Sequence, residues 1–131
     1  MTIGKISSYR DLKVWQLAID ISVACYEATK TLPREEMYGL TSQIRRASAS
    51  VAANIAEGYG RENRGSFVQF LRIAQGSLKE LETHLIIAGR VGLMQPAILS
   101  ALLDQCDENG KMLGALIRTV QRKKVDEQVR G

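Results

Sequence analysis

In Ser50-Val51-Ala52-Ala53-Asn54-Ile55-Ala56-Glu57-Gly58-Tyr59-Gly60-Arg61 almost no side chain is bulky, and the few polar groups stand out. Wound on an α-helix at about 100° per residue, this stretch and the residues before it sort into stripes. Leu40, Ile44, Ala47, Val51 and Ile55 make an apolar stripe, and Gln43, Arg46, Ser50, Asn54 and Glu57 make a wholly polar ribbon beside it. Ala49, Ala52 and Ala56 fill the far side behind Arg45. Small residues let another helix approach closely, so the segment reads as a helix packed by neighbours that still presents a polar ribbon. Gly58 is expected to end it as a left-handed C-cap, with Gly60 loosening the turn.

Working outward, three more segments carry helical periodicity and none reads as a strand. The four helices are expected at about 11–30, 40–58, 66–90 and 96–122, with a flexible tail at 123–131. Ser8 is the candidate N-cap of the first, with Asp11 three residues on as a variant capping box. Thr31-Leu32-Pro33 ends that helix, and a turn is expected at Arg34-Glu35-Glu36. Asn63 or Ser66 caps the third, and Pro96 takes the first-turn position that suits proline in the fourth. Short connections between long helices predict an all-α domain, an antiparallel up-down-up-down four-helix bundle. Phe67, Phe70, Leu71, Ala74, Leu78, Leu81, Leu85 and Ala88 supply the core stripe of the third helix, whereas Arg72, Gln75, Lys79 and Glu82 point outward. In the fourth, Gly110 and Gly114 interrupt an apolar arc, and their spacing fits either a close helix crossing or plain tolerance.

The first helix has two apolar arcs. Leu12, Trp15, Ile19, Val23 and Tyr26 lie on one, and Val14, Leu17, Ala18, Ile21, Ala24, Cys25 and Ala28 nearly opposite. A helix of a monomeric bundle needs one apolar face, so two imply two partners. Self-association is the favoured reading, with Trp15, Ile19 and Tyr26 at the oligomer interface; a different protein partner or an unusually deep wrap are the alternatives.

A length of 131 residues fits one domain. No apolar run reaches the twenty residues a membrane span needs, and Met1-Thr2-Ile3-Gly4-Lys5 has no signal-peptide core; a cytoplasmic protein is expected. Cys25 and Cys106 read as buried small hydrophobes, neither a disulfide framework nor a metal pair. The formal net charge is +4 and the surplus is uneven. Residues 41–64 hold four arginines against two glutamates, and 118–131 five bases against two acids. Arg45, Arg46, Arg61, Arg64, Arg122, Lys123 and Lys124 are therefore the candidate phosphate contacts for a nucleic acid.

Catalysis finds little support. His84, the one histidine, stands a turn from Glu80 with no nucleophile beside it in sequence. No Glu-x-x-His pair suggests a metal, and Gly58-Tyr59-Gly60-Arg61 follows a helix where a phosphate-cradling loop would precede one. No enzyme, no metal and no cofactor are expected. The polar ribbon reads either as a network that fixes helix register and assembly or as a surface for a ligand or partner. Adjacent arginines point about 100° apart, so at most one of Arg45 and Arg46 joins it.

Several blocks in order carry a family resemblance. Tyr9-Arg10-Asp11-Leu12-Lys13-Val14-Trp15-Gln16-Leu17-Ala18, then Leu32-Pro33 through Glu36, Tyr38-Gly39-Leu40 and Gln43-Ile44-Arg45-Arg46-Ala47, then Ser50-Val51 with Asn54-Ile55-Ala56-Glu57-Gly58, and last Phe70-Leu71-Arg72-Ile73-Ala74-Gln75-Gly76-Ser77-Leu78-Lys79-Glu80-Leu81-Glu82 resemble the bacterial four-helix bundle proteins, which include those encoded by intervening sequences in large-subunit ribosomal RNA genes. The likeness runs from about Tyr9 to Leu93. It departs at Ala52, where many relatives have proline, and at Leu32, where they tend to have phenylalanine. The resemblance implies a left-handed bundle that assembles as a ring-like homopentamer. The accessory protein of diversity-generating retroelements is similar in fold and, as a basic pentamer, binds nucleic acid and a reverse transcriptase. The expectation is thus a non-enzymatic oligomer that binds structured RNA or duplex nucleic acid, or docks a nucleic-acid-processing protein; the alternative is a protein-interaction adaptor without nucleic-acid contact. A weaker third option is a regulator that responds to a small molecule through a pocket between subunits.

Overall fold

The computed structural model describes residues 6–130, with side chains as far as residue 122. The described residues are helical with no strand: α1 (Lys13–Thr29), α2 (Leu40–Tyr59), α3 (Arg64–Arg90) and α4 (Pro96–Arg130). Helix α2 packs against both α1 and α3, and α4 closes against α3 and α1. One core runs through all four, with Ile21, Ile44, Ile55, Leu71, Leu78, Leu81, Leu85 and Leu113 fully buried.

The expected capping box exists but belongs to a separate element. Ser8 and Asp11 cap each other across a 3-10 turn, Tyr9–Asp11, and Leu12 then takes an extended conformation before α1 begins. The Ser7 amide, its hydroxyl and the Ser8 amide all donate to Asp11 Oδ2 at 3.0–3.1 Å, which holds that carboxyl below the usual aspartate value. The turn folds Tyr9 edge-on against Trp15, with ring centroids 5.2 Å apart. A second 3-10 turn, Arg34–Glu36, occupies the expected place after Pro33. Asn63 caps α3, its Oδ1 accepting from the Ser66 amide at 2.7 Å. Pro96 opens α4, which runs on as helix through Arg130, past the expected end at 122.

Gly58 is not the left-handed cap the sequence suggested. It lies inside α2, and Gly60 closes the helix with right-handed dihedrals. Its lack of a side chain answers to packing: a Cβ there would stand 2.7 Å from Phe70 Cβ and 3.0 Å from Phe67 Cδ1. The left-handed glycine is Gly92, at φ 80°. It ends α3 in a Schellman turn, with Leu93 N donating to Ala88 O at 2.9 Å and Gly92 N to Gly89 O at 3.1 Å. Of the two α4 glycines, Gly110 is at ordinary contact distance from Leu78 of α3, whereas Gly114 meets only Arg118 of its own helix. The close crossing between α3 and α4 is instead at Gly89, against Leu99.

Both cysteines are fully buried, and burial pushes each thiol up to about 12. Asn109 of α4 is also fully buried: its Nδ2 donates to Val14 O at 3.0 Å, while its Oδ1 has no partner among the described residues.

The glycines make a paired test. Gly58→Ala is expected to destabilise the fold by about 1–3 kcal/mol, because neither phenylalanine can give way without repacking. Gly76→Ala, where an added Cβ meets nothing within 4 Å, should stabilise it by about 0.5–1 kcal/mol through helix propensity. Urea denaturation followed by circular dichroism measures both.

Candidate nucleic-acid interface

The outward edge of the α2–α3 pair carries the polar ribbon, now as a ladder of specific contacts. Arg46 Nη2 donates to Gln43 Oε1 at 2.5 Å and stands 3.6 Å from Glu80 Oε1 of α3. His84 Nε2 lies 3.7 Å from the same carboxylate. Further along, Ser50 and Ser77 hydroxyls meet at 2.8 Å, and Asn54 Nδ2 donates to Ser50 O at 2.8 Å and Ser50 Oγ at 3.0 Å. Glu57 turns away from the backbone and pairs with Arg61 at 2.7 Å. Small side chains at the contact explain the geometry: only where backbones lie this close do two serines touch directly.

The two adjacent arginines have separate positions. Arg45 reaches across to the end of α1, where Nε donates to Thr29 Oγ1 at 2.9 Å and Nη2 to Tyr26 O at 3.5 Å, with its guanidinium 4.8 Å above the Tyr26 ring. The last carbonyls of a helix lack intrahelical donors and sit at the negative end of its dipole. Arg45 answers both needs, and buried Thr29 extends the cap by donating to Cys25 O at 2.7 Å. Arg46 is the exposed one of the pair.

Arg61 and Arg64 share the corner between α2 and α3. The Arg61 guanidinium stands over Phe70, 4.8 Å from the ring centroid, and bonds Glu57. Arg64 opens α3 beside the Asn63 cap, at the positive end of that helix. Arg122 is exposed on α4, and the side chains of Lys123 and Lys124 lie outside the described residues. Arg61 and Arg64 thus flank the α2–α3 connection, and Arg46 lies about four turns away from Arg61 along the chain.

Helix α1 turns its small-residue arc inward: Val14, Ala18, Ile21 and Cys25 are buried. On the other arc Trp15 and Ile19 are half-buried against the core, while Val23 is 58% and Tyr26 44% exposed. Among the described residues no group of His, Cys, Asp or Glu could hold a metal ion, and no helix is long and apolar enough to cross a membrane.

A model of the family described as 23S rRNA-intervening sequence protein matches residues 10–115. Among solved structures, the chain is similar to a protein of unknown function from the S23 ribosomal protein family of Bacteroides thetaiotaomicron VPI-5482, with a TM-score of 0.75 at 24% identity over 80% of this chain and 95% of that one. That likeness is one of fold. None of the curated proteins matches.

The cap made by Arg45 and the surface position of Arg46 predict unequal mutants. Arg45→Ala should cost about 1–2 kcal/mol in urea denaturation, through loss of a helix-end bond and the ring contact. Arg46→Ala, whose ion pair is solvent-exposed, should stay within about 0.5 kcal/mol of the parent.

Proposed function

The chain belongs to the 23S rRNA-intervening sequence protein family, and on that footing we propose that it is a non-enzymatic, oligomeric, cytoplasmic bundle whose basic end binds RNA or another nucleic acid. The reading rests on one observation, the gathering of arginines at the end of the bundle where α2 passes into α3. Gly89 meets Leu99 and Gly110 meets Leu78, so each step back along α3 matches a step forward along α4. Continued, that register brings the stretch around Arg122 level with Arg64 and Arg61. Opposed contact orders of the same kind link α1 with α2 (Ser22 to Ser48, Thr29 to Arg45) and α2 with α3 (Ser50 to Ser77, Arg46 to Glu80). They support an up-down-up-down arrangement, left-handed by family resemblance.

An arginine positioned over an aromatic ring presents its N–H donors from a fixed place, which suits phosphate. With an α3 N-terminus beside it, the corner favours an anionic backbone. Recognition led by phosphate contacts, through shape and charge, is the mode proposed. Fluorescence anisotropy should report micromolar or tighter binding of a structured ribosomal RNA fragment that persists at near-physiological salt and weakens steeply as salt rises further. Arg61→Ala together with Arg122→Ala should lower the affinity and flatten the salt slope by about one unit for each phosphate no longer neutralised. A wild-type protein that shows no binding rejects the proposal.

Exposed Val23 and Tyr26 support self-association through α1, with a pentamer the number implied by the resemblance. Sedimentation velocity should give a species several times the 14.5 kDa protomer mass, and Val23→Lys should reduce it to the protomer. An assembly that survives Val23→Lys unchanged places the interface elsewhere. Met37 and a 95%-exposed Tyr38 on the α1–α2 connection favour the second reading, an adaptor that docks another protein; it gains if the oligomer forms and RNA binding fails.

A further inference from the structure

On the side of α3 away from the polar ladder, between α3 and α4, lies an open cleft of about 580 Å³. Two glycines create it. A Cβ on Gly76 would meet nothing within 4 Å, and one on Gly110 would only touch Leu78 at 3.5 Å, so neither side of the gap is filled. Glycine is the poorest ordinary residue for a helix interior, yet here both helices carry one where they face the same space.

Three cations line it from both walls. Arg72 and Lys79 bracket Gly76 on α3 at helical spacing, and Lys111 follows Gly110 on α4. Arg72 makes no hydrogen bond or ion pair with any described residue. Lys79 pairs with Glu82 at 3.1 Å and Lys111 with Asp107 at 3.3 Å. The lysine side chains are 75% and 79% exposed, so both pairs are weak and exchangeable. Asp107 is the one carboxylate on the lining. With both lysines in exposed pairs and Arg72 without a partner among the described residues, the lining keeps a cationic surplus that attracts an anion, and that guanidinium is the best phosphate ligand among the three. The cleft is also far larger than phosphate needs, within the range of about 300–1,000 Å³ typical of small-molecule sites. Between the glycines the walls are bare helix backbone over buried Leu78, with no Cβ in the way of a flat ring, and the Gln75 amide offers both a donor and an acceptor.

We propose that the α3–α4 cleft binds a nucleoside phosphate, its phosphate on Arg72, Lys79 and Lys111 and its base in the gap between Gly76 and Gly110. The nucleotide is free or is one residue of a single-stranded RNA. The cleft is separate from the basic end formed by Arg61 and Arg64, so either site stands without the other.

The test uses the full chain, with adenosine monophosphate and adenosine in calorimetry and a labelled single-stranded oligoadenylate in anisotropy. Wild type should bind the monophosphate at least tenfold more tightly than adenosine, and Arg72→Ala should weaken it about tenfold. Gly76→Leu puts a side chain where the base would lie and favours the helix, so it should abolish binding with an unchanged circular dichroism spectrum; Arg61→Ala should leave monophosphate binding intact. If Gly76→Leu weakens oligoadenylate as well, the nucleotide belongs to a strand; if only the monophosphate is lost, it is free. Equal binding by wild type and Gly76→Leu overturns the proposal, as does a wild type that binds neither ligand, whatever the basic end does with folded RNA.

Discussion

The approach of α2 to α3 at Gly58 is the constraint on which the rest of the bundle depends. Phe67 and Phe70 occupy the space a side chain would need, so the two backbones lie closer than bulky residues allow. The same economy of volume continues along α2, where Ala47, Ser48 and Ala52 are buried at its contacts with its neighbours. A helix this thin cannot fill a core by itself. Leucines of α3 and α4 add volume to that of Ile44, Val51 and Ile55, and the small residues of α2 supply proximity. Proximity in turn makes short polar contacts possible: Ser22 meets Ser48 at 3.0 Å on one side and Ser50 meets Ser77 at 2.8 Å on the other. Each such bond contributes about 1 kcal/mol net, but each also fixes how far one helix can slide along the next.

Buried polarity extends that logic to α4. Asn109 ties α4 to the first turn of α1 through Val14 O and leaves its own carbonyl oxygen without a partner among the described residues. An unpartnered buried acceptor costs about 1–3 kcal/mol, and a leucine at that position would avoid the cost. A buried amide that meets one carbonyl in one register penalises every other register, as single asparagines do in coiled coils. Stability and uniqueness of packing pull in opposite directions here, and the structure favours uniqueness.

Much of this was legible in the sequence where a residue's role is set by its local neighbours. The Asn63 cap, the Pro96 start, the turn at Arg34–Glu36 and the core stripes of α2 and α3 depend on periodicity and on hydrogen bonds within a few residues. What was not legible depends on what lies opposite. A glycine one residue from a helix end looks the same whether it relieves backbone strain or steric crowding, so Gly58 read as a cap, and Gly92, the true left-handed residue, passed unnoticed. The break at Leu12 arises because the preceding turn is drawn onto α1 and α2, a tertiary effect. Wheel angles separated Arg45 from Arg46 without revealing that one caps α1. Arg72 and Lys79 looked like an ordinary solvated face because Lys111, across the cleft, is thirty-two residues beyond Lys79 and stands in a stretch of net negative charge.

Charge in this protein is therefore better read by place than by total. Glu57 and Phe70 hold Arg61 at a corner, Arg45 is committed to a helix end, and Arg72 stands without a partner among the described residues beside an empty space. A rigid helical frame keeps such positions fixed with respect to one another, which flexible basic tails cannot do. If several copies surround a common axis, every position recurs at a fixed spacing, and weak contacts to a phosphate backbone then act together through effective concentration. Affinity would depend on whether the nucleic acid can follow that spacing. A bundle of modest net charge can select a folded shape by that means, with no side chain reading a base.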